Sequence, residues 1–219
     1  MSGTPISPRL IRGGIVLVDP GTGALVRVIA LQYNPDSLSR TLQPQAAAGD
    51  AHDRSQALRL KGPPVETIRL EAEIDATDEL EQPDQNATTV RLGIAPQIAA
   101  LETLLYPSSG QLIANHAAQG TGTLEIEPLE TPLALFVWSS QRVVPVRVTD
   151  FSVTEEAFDA NLNPLRAKVS LSLRVLSVDD LGFDNKGGSL YMAYQQNKER
   201  LAQLATGGAL PALGLTGIP

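Results

Sequence analysis

The residue types that could do chemistry are few, and none of them stands in a known catalytic spacing. The only histidines are His52 and His116, and neither belongs to an HExxH pair of metal ligands. The sequence also has no GxSxG serine elbow and no GxxxxGK[ST] phosphate loop. We interpret each histidine as a lone surface residue. We predict no catalytic, cofactor-binding or metal-binding residue and no enzyme activity.

A run of acidic residues has the composition of a calcium site but not its spacing. Its members are Asp75, Asp78, Glu79, Glu81 and Asp84. The glycine and the final bidentate glutamate of an EF-hand loop are not in register. We interpret the run as a solvated strand end or helix start, where Thr77 could cap a short helical turn. A hydrolase is a weaker hypothesis, because acidic residues are too common to single out a catalytic pair.

The composition is that of a folded, acidic chain without cysteine. Of its 219 residues, 42% are hydrophobic and 19% are charged, and the net charge is −7. This charge, with no Lys/Arg-rich run, argues against nucleic acid as a partner. The absence of cysteine fits synthesis in a reducing cytoplasm. We expect no direct membrane insertion, because there is no long apolar run and no secretory signal at the start.

Alternating apolar and polar residues predict a mostly antiparallel sheet. Two strands, at 65–74 and 165–177, have one apolar and one polar face, which is typical of strands buried on one side. Their apolar residues are Ile68, Leu70, Ala72 and Ile74 in the first, and Val169, Leu171, Leu173 and Val175 in the second. The other expected strands are 10–18, 25–33, about 37–43, 122–127, 133–138, 143–150 and a segment near 151–157.

Turn residues indicate how neighbouring strands connect. The sequence DPGTGA, after the first strand, predicts a hairpin to the second. The sequence DANLNP at 159–164 predicts another hairpin turn. Between 143 and 157 the apolar alternation changes phase near Asp150 and Phe151, which indicates a bulge or a bend.

Two helices are expected besides the strands. One runs over about 95–106, and the other over 188–205. In the first, Pro107 ends the helix, and helical spacing places one set of apolar residues on a shared face. These are Ile94, Ile98, Leu101, Leu104 and Leu105. The predicted fold class is therefore α+β: a mostly antiparallel β-sandwich or barrel with a middle helix and a C-terminal helix.

The same patterns divide the chain into four parts. Residues 1–9 form an N-terminal arm, and residues 10–177 form the β domain, which contains a long exposed loop at 44–61. Residues 178–205 form a C-terminal helical segment, and residues 206–219 form an uncharged apolar tail. Long loops within compact domains are usually functional or mobile. The tail has little of its own to pack against, so it is either frayed or lies on a neighbouring subunit.

Five stretches, in this order, resemble the tube-related baseplate proteins of contractile injection systems, the phage-tail-like particles of bacteria. They are LQYNPDSLSRTLQPQ, ALRLKGPPVETIRLEAEIDATDELE, LGIAPQIAALETLLYP, LALFVWSSQRVVPVRVTDFSVTEEAFDANLNPLRAKVSLSLRVLS and YMAYQQNKERLA, and they cover roughly residues 10–205. The family is similar in part to the LysM-carrying baseplate protein of contractile phage tails. Nothing after residue 177 reads like the compact βααβ of a LysM module, so only the tail-tube type of fold is expected to carry over.

The resemblance implies a structural adaptor that joins inner tube, central spike and baseplate. Its expected partners are the inner-tube protein, the spike protein and baseplate wedge proteins, with self-association in a ring of roughly six copies. The chain would be made in the cytoplasm and assembled into a particle that is released or stays inside the cell. The alternative is a peptidoglycan- or carbohydrate-binding module that accompanies the particle.

Three groups of residues are the candidate subunit interface. Two of them are expected to mark where the long loop leaves and re-enters the sheet, and the third lies in the apolar tail. The loop and the tail would become ordered on assembly, which costs free energy at binding. The candidates are Tyr33, Asn34 and Pro35, then Gly62, Pro63 and Pro64, and finally Leu210, Leu213 and Leu215.

Overall fold

The chain folds as an α+β protein built on one antiparallel sheet. The computed structural model describes residues 11–46, 59–120, 131–205, 207–208 and 210–218. The strands are β1 (Gly14–Val18), β2 (Leu25–Ala30), β3 (Leu38–Ala46), β4 (Leu60–Asp75), β5 (Leu133–Ser139), β6 (Arg142–Phe158) and β7 (Pro164–Val175). The helices are α1 (Thr77–Leu80), α2 (Ala87–Leu92), α3 (Ala95–Glu102), α4 (Ser109–Gly120), α5 (Val178–Leu181) and α6 (Lys186–Leu204), followed by a 3-10 helix, Leu210–Leu213.

The sheet has the strand order β2-β1-β5-β6-β7-β4-β3, and every neighbouring pair is antiparallel. Strands β2 and β3 are therefore its two edges, and they do not pair with each other. The sheet is not closed into a barrel among the described residues, so this part of the structure does not decide between a sandwich and a barrel.

The short connection between the two edge strands shows that the sheet curves. A flat sheet of this order would place β2 and β3 about 29 Å apart, from six steps of about 4.8 Å. The eight Cα steps from Ala30 to Leu38 reach about 29 Å only when fully extended. The chain instead bends at residues 32, 33 and 36. The two edges must therefore approach each other.

The main hydrophobic core lies on one face of this sheet. Ile68, Val169 and Leu173 are fully buried there. Ile98 of α3 and Tyr194 of α6 belong to the same cluster, so helices cover parts of this face. The aliphatic composition of the chain is consistent with a core filled mostly by Ile, Leu and Val, to which Phe136, Tyr191 and Tyr194 add the aromatic side chains.

Strands β1 and β5 are buried on both faces. Leu17 and Phe136 belong to the main cluster, whereas Leu133, Leu135 and Val18 form a second cluster with Leu181 and Leu190. Since successive side chains of a strand point to opposite faces, the second cluster lies across the sheet from the first. Leu181 of α5 and Leu190 of α6 pack against this second cluster.

The structure confirms the predicted alternation and turns. The four apolar residues predicted for each of the strands 65–74 and 165–177 are all buried. Asp159 accepts hydrogen bonds from the backbone nitrogens of Asn161 (2.7 Å) and Asn163 (2.8 Å), which fixes the predicted hairpin turn. The predicted strands at 143–150 and 151–157 are one strand, β6, whose register shifts between Val148 and Asp150. That shift is the expected bulge.

Several predicted boundaries differ from the structure. Residues 44–46 belong to β3 and residues 60–61 to β4, so the predicted loop 44–61 is too long at both ends. The middle helix ends at Glu102 rather than near 106, and Leu105 is 44% exposed instead of sharing the buried face. The predicted arm 1–9, the strand 122–127 and most of the loop lie outside the described residues.

Sequence patterns did not predict α4, nor did they separate α5 from α6. The segment Ser109–Gly120 has no buried apolar face, and its Leu112 and Ile113 are 51% and 69% exposed. A helix without a buried stripe lacks the period that sequence reading depends on. Helix α5 begins with a capping box, in which Ser177 and Asp180 exchange hydrogen bonds with each other's backbone.

Candidate functional site: the sheet edges and the C-terminal segment

The edge strand β2 exposes three apolar side chains, which flank its single charged residue, the exposed Arg27. Leu25, Val26 and Val28 are 66%, 54% and 58% exposed. Only Ile29 of this strand is buried. An edge strand has free backbone groups on one side, and proteins usually protect it with charges. An unpaired edge on which three aliphatic side chains are exposed beside one charge is typical of a surface that another chain covers.

The other edge strand, β3, is longer and carries an irregularity opposite two prolines. Gln43 pairs with Val65 and Gln45 with Gly62, so a single residue of β3 opposes Pro63 and Pro64. Proline has no backbone N–H to donate to a ladder, and such residues are confined to edges and bulges. Gln45 restores one contact by donating from Nε2 to the Pro63 carbonyl at 2.9 Å.

The predicted interface residues Gly62, Pro63 and Pro64 thus lie within β4 and not ahead of it. The expectation that they mark the return of a loop to the sheet is wrong, because β4 already begins at Leu60. A side chain at Gly62 would place its Cβ 2.5 Å from Oδ2 of Asp179 in α5. This glycine therefore allows α5 to approach β4 closely.

Tyr33, Asn34 and Pro35 lie in the connection between the two edges. Asn34 accepts from the Gly13 nitrogen at 2.8 Å and donates to the Ile11 carbonyl at 2.9 Å, so it fixes the chain that leads into β1. Pro35 and Tyr33 line a shallow cleft beside Glu71 and Glu73. The structure places these three residues on the surface between β2 and β3.

The Tyr33 side chain is held by an acidic residue of α1. Its hydroxyl donates to Oδ2 of Asp78 at 3.1 Å, and the side chain remains 43% exposed. Partial desolvation, followed by the hydrogen bond and negative charge of Asp78, raises the pKa of Tyr33 above its ordinary value. Tyr33 therefore acts as a neutral hydrogen-bond donor at this surface.

A buried carboxylate joins the C-terminal helix to the sheet. Glu66 in β4 is 2% exposed. Its Oε1 accepts from Nε of Arg40 at 2.8 Å and from the Tyr194 hydroxyl at 2.9 Å, and its Oε2 contacts Nζ of Lys198 at 2.9 Å. Lys198 also lies 3.9 Å from the centre of the Tyr194 ring, in cation–π contact.

The charges around Glu66 decide its protonation state. Burial would raise the pKa of this carboxyl, but hydrogen bonds and charges of Lys198 and Arg40 outweigh it and lower the pKa below the ordinary value. Burial and the neighbouring Glu66 charge raise the pKa of Tyr194 far above its ordinary value. Glu66 is therefore ionised and Tyr194 neutral, which is the arrangement that their hydrogen bond requires.

Sequence reading missed the Glu66 cluster because its members lie far apart in the chain. One signal was available: Glu66 falls in the same alternation phase as Ile68 and Leu70, which is the buried face of β4. A charged residue in a buried phase is almost always paired. The partners Arg40 and Lys198 could not be identified without the fold.

The predicted tail residues are exposed where the structure describes them. Leu210, Leu213 and Leu215 are 38%, 73% and 43% exposed. The described hydrogen bonds of this segment are internal, from Gly214 to Pro211 and from Leu215 to Leu210. The tail is therefore an accessible apolar segment that follows α6.

The residues considered for chemistry have structural surroundings. Asp75 accepts from Thr77 and pairs with Arg166 at 2.8 Å, and these hydrogen bonds, with that of Thr77 the largest, lower its pKa. His116 lies exposed on α4, and His52 is outside the described residues. In the described ranges, no group of three His, Asp or Glu side chains is arranged to hold a metal ion. No described helix is long and apolar enough to cross a bilayer.

Comparison with known proteins adds no family assignment. The chain matches no family model and no curated protein.

Proposed function

We propose that this chain is a structural, non-catalytic adaptor in the baseplate of a phage-tail-like contractile injection system. In this proposal several copies form a ring that links the inner tube, the central spike and the baseplate. The chain is made in the cytoplasm and is then incorporated into the particle. The proposal takes the curved sheet to be a fold of the tail-tube type.

The observation that carries the proposal is the exposed apolar edge strand β2. A second unpaired edge, β3, is the last strand at the opposite end of the strand order. A ring needs two different surfaces on each subunit that are complementary to each other, because its contacts are heterologous. Strands β2 and β3 are two such surfaces, joined through one continuous sheet. The collinear resemblance of five stretches to tube-related baseplate proteins supports the same role.

A charge on the β2 edge tests the proposal. Leu25→Lys places an ammonium group on the exposed apolar edge, which is how natural edge strands resist pairing. We expect the variant to fold normally but to enter particles about tenfold less, the effect of losing about 1.4 kcal/mol of contact free energy. The measurement is the amount of this chain in purified particles, with electron microscopy of the joint between tube and baseplate.

A matched control separates edge pairing from charge alone. Ser170→Lys adds the same group to an exposed position of β7, which has neighbours on both sides. We expect this control to assemble as the unmodified chain does. Equal incorporation of both variants would refute a role for the β2 edge. Saturable binding of the isolated chain to peptidoglycan sacculi would instead support the glycan-binding alternative.

A further inference from the structure

A cleft lies between β2 and the C-terminal part of β4, two strands that do not pair with each other. Its volume is about 280 Å³, and helix α3 forms one wall. This is below the roughly 300–1,000 Å³ typical of sites for drug-sized ligands, and it suits a few aliphatic groups. Its walls are mainly apolar, and they include Val28, Leu31, Ile74, Pro96, Ala100 and Leu101. We call it the β2–β4 cleft.

One polar group on the walls of the β2–β4 cleft, the backbone of Glu73, has no partner among the described residues. Oε1 of Gln97, another wall residue, is also without a described partner, but this atom is closed off from the cleft and therefore indicates nothing about an occupant.

The direction of the Glu73 backbone follows from the ladder between β4 and β7. The Ala76 N–H donates to the carbonyl of Leu165 in β7. Because backbone groups alternate in direction along a strand, those of Ile74 and Ala72 also point toward β7. The backbone groups of Glu73 and Asp75 then point the other way, toward the free side of β4. No described residue donates to or accepts from Glu73 on that side.

The contacts of Asp75 show which kind of group can satisfy the backbone N–H and C=O groups on the free side of β4. The Gln32 side chain donates from Nε2 to the Asp75 carbonyl at 2.7 Å and accepts the Asp75 N–H at 2.9 Å. A primary amide thus stands in for a peptide group of a missing strand. One step along β4, at Glu73, no residue in the described part of the chain takes that place. An extended peptide offers N–H and C=O groups in the required alternation, as in recognition by strand addition.

The chain itself contains a segment of the required chemistry. Residues 201–219 carry no charged side chain, although 19% of all residues in the chain are charged. Leu213 is 73% exposed, and none of the tail residues that the structure describes lines the cleft of its own chain. Since Glu73 lies in the cleft wall and the net charge is −7, an acidic segment would be repelled, whereas this one is not.

We propose that the C-terminal segment 207–218 of a second copy of this chain binds in the β2–β4 cleft, with an aliphatic side chain inserted and its backbone paired to Glu73. This contact deepens the proposed function and rests on it, because it is one way in which neighbouring subunits of a ring are joined. It also gives the contact a direction, from the tail of one copy to the cleft of the next.

A labelled synthetic peptide of residues 207–218 tests the contact. The receptor is the full chain carrying Leu213→Asp, whose own tail then does not compete. We expect saturable binding in fluorescence anisotropy. Adding Ala100→Trp fills the cleft and weakens binding about tenfold or more, whereas adding Ala99→Trp, at the exposed neighbouring position of α3, leaves it unchanged. Val28→Glu, at an exposed position of the cleft wall, serves if Ala100→Trp does not fold.

A mixing experiment tests the direction of the contact. The Leu213→Asp chain has a cleft but no functional tail, and the Ala100→Trp chain has a tail but no cleft. We expect an equimolar mixture to sediment faster than either variant alone, because only the mixture supplies both a functional tail and an open cleft. Absence of peptide binding, or equal binding with and without Ala100→Trp, would overturn the tail contact.

The tail contact and the proposed function can fail independently of each other. If the Leu213→Asp chain still enters particles while the peptide fails to bind, the tail contact is wrong and the scaffold role stands. If the peptide binds as expected but the unmodified chain is absent from particles, the scaffold role is wrong and the tail contact remains as a mode of self-association.

Discussion

At the scale of single residues, Glu66 determines how the C-terminal segment is attached. Arg40, 27% exposed in its side chain, and Lys198, 36% exposed, bring charge to a carboxylate that is 3% exposed. Hydrogen bonds to charged groups contribute more than neutral ones, and removing one partner of a buried set leaves the others uncompensated. The cluster connects β3, β4 and α6, three elements that are distant in sequence.

Replacing this carboxylate should lower stability in a pH-dependent way. The folded-state pKa of Glu66 lies below its ordinary value of 4.5, so its contribution is present above pH 4.5 and is lost as the pH falls through the folded pKa. We expect Glu66→Gln to lower the free energy of unfolding by about 1–3 kcal/mol at neutral pH. The difference from the unmodified chain should shrink in acid.

Urea unfolding between about pH 3 and pH 7 measures how the free energy of unfolding of each variant depends on pH. The control is Glu71→Gln, on the exposed face of the same strand, which should be nearly neutral. A difference between Glu66→Gln and the unmodified chain that stays constant over the whole pH range would contradict the assignment to ionised Glu66.

At the scale of elements, close approaches of backbone position the helices against the sheet. Gly93 ends α2 with a φ of +56°, a conformation that favours glycine. A Cβ there would lie 2.1 Å from the Pro164 carbonyl oxygen, to which Ile94 donates its N–H at 2.8 Å. This contact joins the start of α3 to the start of β7.

A methyl group at this junction should therefore be costly. We expect Gly93→Ala to lower the free energy of unfolding by at least about 2 kcal/mol, from backbone strain together with the steric contact. Gly110→Ala in α4 is the matched control, because its added Cβ meets nothing within 4 Å. Alanine favours helix, so this control should be neutral or stabilised by up to about 1 kcal/mol. Equal free energies of unfolding for the two variants would contradict a close backbone contact between Gly93 and Pro164.

Sequence patterns predict the elements in which buried residues recur at a regular spacing. They do not predict elements whose bounds depend on contacts with distant parts of the chain. Strands with one buried face, such as Pro164–Val175, could be predicted with their apolar residues, because alternation records their environment directly. The length of β4 could not be predicted in this way. Pro63 and Pro64 are tolerated within this strand only because the pairing with β3 contains a bulge opposite them. Helix α4 carries no buried stripe that could have revealed it.

The candidate site was predicted only in part. The tail leucines were identified from composition, and the structure places them on the surface. The apolar exposure of β2 could not be predicted, because the alternation of a strand does not show whether it lies at an edge or in the middle of a sheet. Asn34 was grouped with Tyr33 as an interface residue, yet its side chain bonds Gly13 and Ile11 of its own chain.

At the scale of the whole molecule, the described chain is a curved sheet with two unpaired edges, followed by an accessible apolar tail. In a single copy, the edges have no pairing strand and the tail is exposed. Each of these surfaces would be buried if copies assembled around an axis. The most elaborate polar cluster described in this chain, around Glu66, joins elements of the chain itself.

A cryo-electron microscopy map of the intact particle, with this chain traced in it, tests the central claim most directly. The account predicts several copies in a closed ring at the base of the inner tube, with the β2 edge of every copy covered by a neighbour. A map in which the chain is present with β2 facing solvent, or a particle that contains no copy of the chain, would contradict it.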